Sequence, residues 1–238
     1  MLTEQTISTL NAMRLHGMSR GFSERMGTPQ HTGLSHEDFV GLLVEDEKNY
    51  RDNQRLKRLL LNARLKQSAS LESIDYTHQR GLTKQMIADV SSPQWIIDHR
   101  PVLLTGPTGV GKSYIACALG NYAARQGHTV LYLRAPRLFG MLSQARGDGS
   151  HLKTLTKLGK ADVLIVDDFL LTPLAEVERR DFLEVVEERY GAGSIIITSQ
   201  CPTKDWHQNI GDPTLADAIC DRLFHKAHRM ALKGASIR

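Results

Sequence analysis

The chain has 238 residues, with 30 Lys and Arg against 26 Asp and Glu, a formal net charge of +4. At 41% hydrophobic and 24% charged residues it has the composition of a folded globular protein and not of a disordered one. No apolar run approaches the ~18 residues of a membrane span, and the N-terminal segment lacks the apolar stretch of a signal peptide. The three cysteines, Cys117, Cys201 and Cys220, form no C-x-x-C pair, so a reducing, cytoplasmic setting without membrane partners is expected.

The first third reads as helices. Ile7, Leu10 and Met13 suggest a short one near the start, and Met26 to Gly33, with Thr28-Pro29, reads as a loop. A helix over 36–47 has Phe39, Leu42 and Leu43 on its apolar edge, with Ser35 placed to cap it. In the next helix Leu56, Leu59, Leu60 and Ala63 fall at i, i+3, i+4 and i+7, and Arg51, Arg55 and Arg58 form a stripe beside that face. Residues 48–66 hold seven cations against Asp52 alone, a local balance of 7 − 1 = +6 that the acids before them mask in the total. Such a stripe suits duplex phosphates; its bland reading is a solvated face paired with Glu45 and Glu47. Arg134, Arg137, Arg146 and Lys153 offer a second basic region. The small, polar run Gln67 to Ser70 predicts a boundary between a helical domain, 1–68, and a core, 69–238.

From Pro101 onward strands alternate with helices. The strands are Val102 to Thr105, Thr129 to Leu133, Asp162 to Asp167, Ser194 to Thr198 and His228 to Leu232. Between them lie helices over Lys112 to Gln126, Pro136 to Arg146, Glu176 to Tyr190 and Thr214 to Phe224. That alternation predicts an α/β three-layer sandwich with a parallel sheet.

Residues 106 to 113, Gly106-Pro107-Thr108-Gly109-Val110-Gly111-Lys112-Ser113, satisfy G-x-x-x-x-G-K-[ST] between a strand and a helix. Phosphate oxygens must approach main-chain N–H groups closely, which excludes Cβ atoms from the wrap. Lys112 would reach the β and γ oxygens of ATP, Ser113 would ligate Mg²⁺, and Tyr114, in the first turn of the following helix, is a further candidate nucleotide contact. The apolar run Val163 to Val166 ends in Asp167-Asp168: Asp167 is expected to share the Mg²⁺ and Asp168 to orient or deprotonate the attacking water. The strand Ile195 to Ile197 ends in Thr198-Ser199-Gln200, where Gln200, with Ser199 second, is the candidate contact to the γ-phosphate or the water. Tyr76 is a candidate for packing on adenine. Ten histidines raise the question of a metal, but His225, His228 and Cys220 lack a fourth ligand for zinc.

The strings Val163 to Phe169, Ile195 to Gln200 and above all Trp206 to Leu223, with Arg14 to Met18 and Leu71 to Tyr76, resemble the IstB family of transposition helper ATPases, of the AAA+ class and close to the bacterial helicase loader DnaC. The resemblance implies a bacterial, Mg²⁺-dependent ATPase that multimerises on duplex DNA with nucleotide at subunit interfaces, remodels the DNA and recruits or activates a cognate transposase. Arg222 matches the family's arginine finger; otherwise it would form a surface ion pair with Asp221 or Asp217. Only 238 − 222 = 16 residues follow it, so no C-terminal lid domain is expected, and Arg238 matches a family position without an assigned role. A DnaC-like helicase loader is the nearest alternative.

Overall fold

The computed structural model describes residues 2–27 and 34–236. Residues 28–33 of the expected loop, with Thr28-Pro29, and Arg238 lie outside the described residues. The chain divides into two compact units, Met1–Arg58 and Leu59–Arg238.

The first unit contains α1 (Leu2–Ala12), α2 (His16–Met26) and most of α3 (His36–Ala63). Instead of two helices, residues 36–63 form one helix of 28 residues, because nothing between Leu42 and Ala63 breaks it. Ser35 does cap its start, accepting from the Asp38 N–H at 3.1 Å, and the left-handed Arg64 (φ 52°) ends it. Helix α2 approaches α3 through Gly17: a Cβ there would lie 2.5 Å from the Asp46 carbonyl oxygen. Glu47 of α3, only 6% exposed, accepts from the first N–H groups of α2, Gly17 at 2.7 Å and Met18 at 3.2 Å. A buried carboxylate thus satisfies a helix N-terminus that would otherwise hold orphan donors.

The second unit begins earlier than the 68/69 boundary read from composition. Ala63, Ala69 and Ile74 are buried, and Leu65 packs where a Cβ on Gly120 would sit, so the residues after Arg58 belong to the core they precede. Short helices α4 (Lys84–Ala88) and α5 (Gln94–Ile97) lead into it. The sheet comprises β1 (Val102–Thr105), β2 (Val130–Arg134), β3 (Val163–Phe169), β4 (Ser194–Ser199) and β5 (His228–Ala231). Its order is β2-β3-β4-β1-β5 with every pairing parallel. The helices are α6 (Lys112–Arg125), α7 (Ala135–Gly147), α8 (His151–Gly159), α9 (Glu176–Arg189), α10 (Trp206–Ile210) and α11 (Pro213–Phe224). Helices α8 and α10 are additions to the sequence reading.

Alternation along β3 sorts the core. Leu164 and Val166 join Leu103, Ile195 and Ile197 in the cluster covered by α7 to α11, while Ile165 points to α6, where it would meet a Cβ on Gly120 at 2.8 Å. Beyond Val166 the pairing with β4 shifts register, and Asp168 takes φ 61°. Such a bulge re-aims side chains at a strand end. Phe169 anchors the far side, stacked on Phe182 with centroids 4.4 Å apart and edge-on to Trp206 at 5.2 Å. Each such pair adds about 0.5–1.5 kcal/mol beyond burial.

Candidate functional site

Strand β4 lies between β1 and β3, so the loop after β1 and the acids of β3 flank the tip of β4 at the carboxyl edge of the sheet. The loop from Gly106 to Gly111 carries positive φ at Gly106 (145°), Gly109 (85°) and Gly111 (92°). Gly106 is also sterically required, since a Cβ there would lie 2.4 Å from the Leu232 carbonyl oxygen. Lys112, 7% exposed, opens α6 and donates through Nζ to the carbonyls of Gly106 and Pro107, both at 2.8 Å.

Asp167 is fully buried at the foot of the site. Its Oδ1 accepts from the Ser113 hydroxyl at 2.8 Å and the Thr198 hydroxyl at 2.5 Å, and its Oδ2 from the Tyr132 hydroxyl at 2.5 Å. Lys66 Nζ stands 3.8 Å from the same Oδ2. Burial and the neighbouring carboxylate push the Tyr132 phenol well above its ordinary pKa, so it stays a donor. Asp168 is turned by the bulge into the cavity, where Arg134 holds its Oδ2 through Nε at 3.0 Å and Nη2 at 2.9 Å. Its main-chain N–H donates to the Thr198 hydroxyl at 3.0 Å.

These groups border a cavity of about 570 Å³, lined by Thr108, Gly109, Gly111, Lys112, Ser113 and Tyr114 of the loop and helix and by Arg134, Asp168 and Gln200, a size that suits a nucleotide. Gly106, Pro107 and Val110 shape the loop without lining the cavity. The remaining wall comes from Lys66, Gln67, Ser73, Asp75, His78 and Arg80. Tyr76, expected against adenine, is half-buried and is not among the lining residues, which include its neighbours Asp75 and His78. Ser199 is buried with its hydroxyl donated to the Phe169 carbonyl at 2.6 Å, so Gln200 alone of the two expected candidates reaches the cavity. Thr198, Tyr132, Lys66 and Arg80 escaped the sequence reading, because no local pattern marks a side chain that meets the site only through strand order. The hydroxyl of Ser113 and the carboxylate of Asp167, 2.8 Å apart, are a hard-oxygen pair of the kind that fits Mg²⁺.

Arg222 lies elsewhere. It lines a second cavity with Arg100, Pro101, Gly193, His225 and Lys226, residues that precede β1, β4 and β5 at the amino edge of the sheet. A strand length of ~15 Å separates that edge from the loop after β1. The partners of Arg222 are the Ala218 carbonyl and Glu187 Oε1, both at 2.9 Å, instead of Asp221 or Asp217.

In the first unit Arg51, Arg55 and Arg58 are exposed on α3, with Arg51 Nε bonded to Glu47 Oε1 at 2.7 Å. In the second basic region Arg134 serves Asp168, and Arg146 is bound to Asp181 and Glu184. Among the described residues the histidine and carboxylate group with metal-like spacing is His151, Asp181 and Glu184, away from His225 and His228. Arg146 already occupies both carboxylates there, making it an ion-pair network.

Residues 8–238 match the family model described as IstB-like ATP binding protein. The chain is 46% identical, over 238 residues covering all of it and 97% of the relative, to y4pL of Sinorhizobium fredii, whose provisional name is insertion sequence ATP-binding protein. Among solved structures the fold is similar to DnaI, with a TM-score of 0.58 at 21% identity over 69% of this chain and 90% of that one. It is likewise similar to the DnaC helicase loader, with a TM-score of 0.54 at 18% identity over 66% of this chain and 95% of that one. These likenesses agree with the AAA+ type of P-loop fold, built here on five parallel strands.

Proposed function

Because the chain belongs to the family of IstB-like ATP-binding proteins, we propose that it is the ATP-hydrolysing helper of an insertion sequence, which multimerises on duplex DNA, remodels it and recruits or activates the cognate transposase. The observation that carries the chemistry is the Ser113 hydroxyl on the Asp167 carboxylate at the foot of a cavity rimmed by Lys66, Arg80, Lys112 and Arg134. The loop N–H groups and the positive end of α6 bind the phosphates, and Lys112 neutralises the β and γ oxygens. Ser113 and Asp167 would hold Mg²⁺, which when bound stabilises charge on the phosphoryl oxygens. Asp168, fixed by Arg134 and by the Thr198 hydroxyl, orients the attacking water, and Gln200 contacts the γ-phosphate from the tip of β4.

Arg222 lies away from this chain's own nucleotide cavity, which is compatible with the proposed role as a finger on the nucleotide of a neighbouring subunit, making hydrolysis depend on assembly. The N-terminal unit, Met1–Arg58, supplies the DNA-binding and partner-binding part, with Arg51, Arg55 and Arg58 on duplex phosphates.

The test combines purified protein, duplex DNA and Mg²⁺-ATP, following phosphate release and particle size. DNA-dependent multimers that hydrolyse ATP are expected; Arg222→Ala should bind ATP with ordinary affinity and fail to hydrolyse it. A chain that neither assembles nor releases phosphate would refute the mechanism. Preference for single strands with tight binding to a replicative helicase would instead mark a helicase loader, the reading that the fold shared with DnaC supports.

A further inference from the structure

Arg80 is 3% exposed and hydrogen-bonds no carboxylate among the described residues, the Asp75 carboxyl acting on it only through space. Buried guanidinium groups ordinarily meet a carboxylate, because desolvating an unpaired charge is costly. Here Nη1 donates to the Val110 carbonyl at 2.9 Å, Nη2 to the Asp75 carbonyl at 2.7 Å, and the buried Nε–H has no partner. The Asp75 carboxylate is used otherwise: its Oδ1 accepts from the N–H and hydroxyl of Thr77, both at 2.7 Å, and its Oδ2 faces His78 at 3.3 Å.

Val110 lies between the left-handed Gly109 and Gly111, so Arg80 holds a peptide carbonyl within the turn of the phosphate-binding loop. Its own main chain is pinned as well, the N–H donating to His78 O and the carbonyl accepting from the Lys233 N–H, both at 2.8 Å. The side chain lines the same cavity as Lys112. A fixed, buried cation that hydrogen-bonds only carbonyls thus stands beside the phosphate loop, on the wall of the nucleotide-sized cavity.

We propose that Arg80 is a positioning residue of the phosphate-binding loop, whose guanidinium orients the Val110 peptide and whose charge selects nucleotides bearing a polyphosphate. This rests on ATP binding at the cavity and not on any role in transposition. Arg80→Gln keeps an amide donor and removes the charge; Arg80→Lys keeps the charge and loses the fork. ATP, ADP and AMP are titrated into the parent and both variants at two salt concentrations, with thermal unfolding alongside.

Loss of one charge-assisted contact predicts about tenfold or greater weakening of ATP and ADP in Arg80→Gln, a change under about threefold for AMP, and a shallower salt dependence. Arg80→Lys recovers most of the preference for ATP over AMP. Equal weakening of all three nucleotides, as a purely structural role would give, or no change in any, overturns the proposal alone. A parent chain that binds no ATP overturns the ATP site and the proposal together. Should Arg80→Gln not fold, Arg80→Met, which removes the charge and fits an apolar site, takes its place: a fall of about tenfold in the ATP-to-AMP affinity ratio supports the proposal, and a ratio within about threefold of the parent's refutes it.

Discussion

Thr198 is the most informative residue to perturb, because its hydroxyl works twice. It donates to Asp167 Oδ1 at 2.5 Å and accepts from the Asp168 N–H at 3.0 Å, on a side chain with no exposed surface. Thr198→Val conserves shape, so no cavity opens and the loss is confined to these two bonds. Removing a donor to a buried carboxylate costs about 1.5–3 kcal/mol, and stranding the partly buried N–H adds about 1 kcal/mol or more, giving roughly 3 kcal/mol in all. For a unit the size of Leu59–Arg238 that corresponds to a fall of about 6–12 °C in the unfolding midpoint. The bulge that aims Asp168 also loses its anchor, so phosphate release should drop about tenfold or more while nucleotide affinity measured without Mg²⁺ stays within about threefold. Calorimetry, nucleotide titration and a phosphate-release assay read the three quantities, and Thr198→Ser, which keeps the hydroxyl, should restore them. A Thr198→Val protein that melts within about 2 °C of the parent and hydrolyses ATP at the parent rate would show that the tie to Asp167 and Asp168 carries neither stability nor chemistry.

Gly106→Ala should abolish nucleotide binding and loosen the strand beside it, since the new Cβ lies 2.4 Å from the Leu232 carbonyl oxygen at φ 145°; hydrogen exchange at the Leu232 N–H, bonded to Thr105 O at 2.7 Å, should lose protection. Burial alone would raise the Glu47 pKa, but hydrogen bonds from Arg51, Met18 and Gly17 outweigh it and hold the carboxyl below its ordinary 4.5. A depressed folded pKa stabilises above the unfolded value and is lost as pH falls through the folded one. Urea titrations of the full chain followed at Gly17 and Gly21 should therefore weaken below pH ~4.5, and Glu47→Gln should flatten that acid limb. Arg55→Ala with Arg58→Ala, which leaves the Arg51 bond to Glu47 in place, should weaken duplex binding and lower the slope of log affinity against log salt by about 2 × 0.9 ≈ 1.8; an unchanged slope would remove this stripe from the DNA path.

Sequence reading succeeded where the requirement is local. The loop from Gly106 to Ser113 was legible because left-handed backbone and close phosphate approach demand glycine at fixed spacing, and β1 and α6 fall as its context predicts. Asp167 was legible because a buried apolar strand that ends in acids delivers them to the carboxyl edge of a parallel sheet, where ligands bind. Reading was poorer where the signal is weak or distributed. The acid-rich and base-rich halves of α3 looked like two helices, although charge changes the surface of a helix without interrupting its hydrogen bonds. Residues 151–159 form α8 between better-marked neighbours, and the polar triplet Thr198-Ser199-Gln200 gave no sign that the first hydroxyl serves the acids while the second turns to the Phe169 carbonyl.

A parallel α/β nucleotide-binding core with its phosphate loop and its acids is legible along the chain, because backbone conformation and strand burial act over a few neighbouring residues. Long-range packing sets the rest: β4 separates β1 from β3, Tyr132 and Thr198 converge on Asp167, Arg80 holds the loop and Arg222 lies at the opposite edge of the sheet. These placements follow from strand order and register, which arise when distant segments pack together, and no spacing along the chain encodes them.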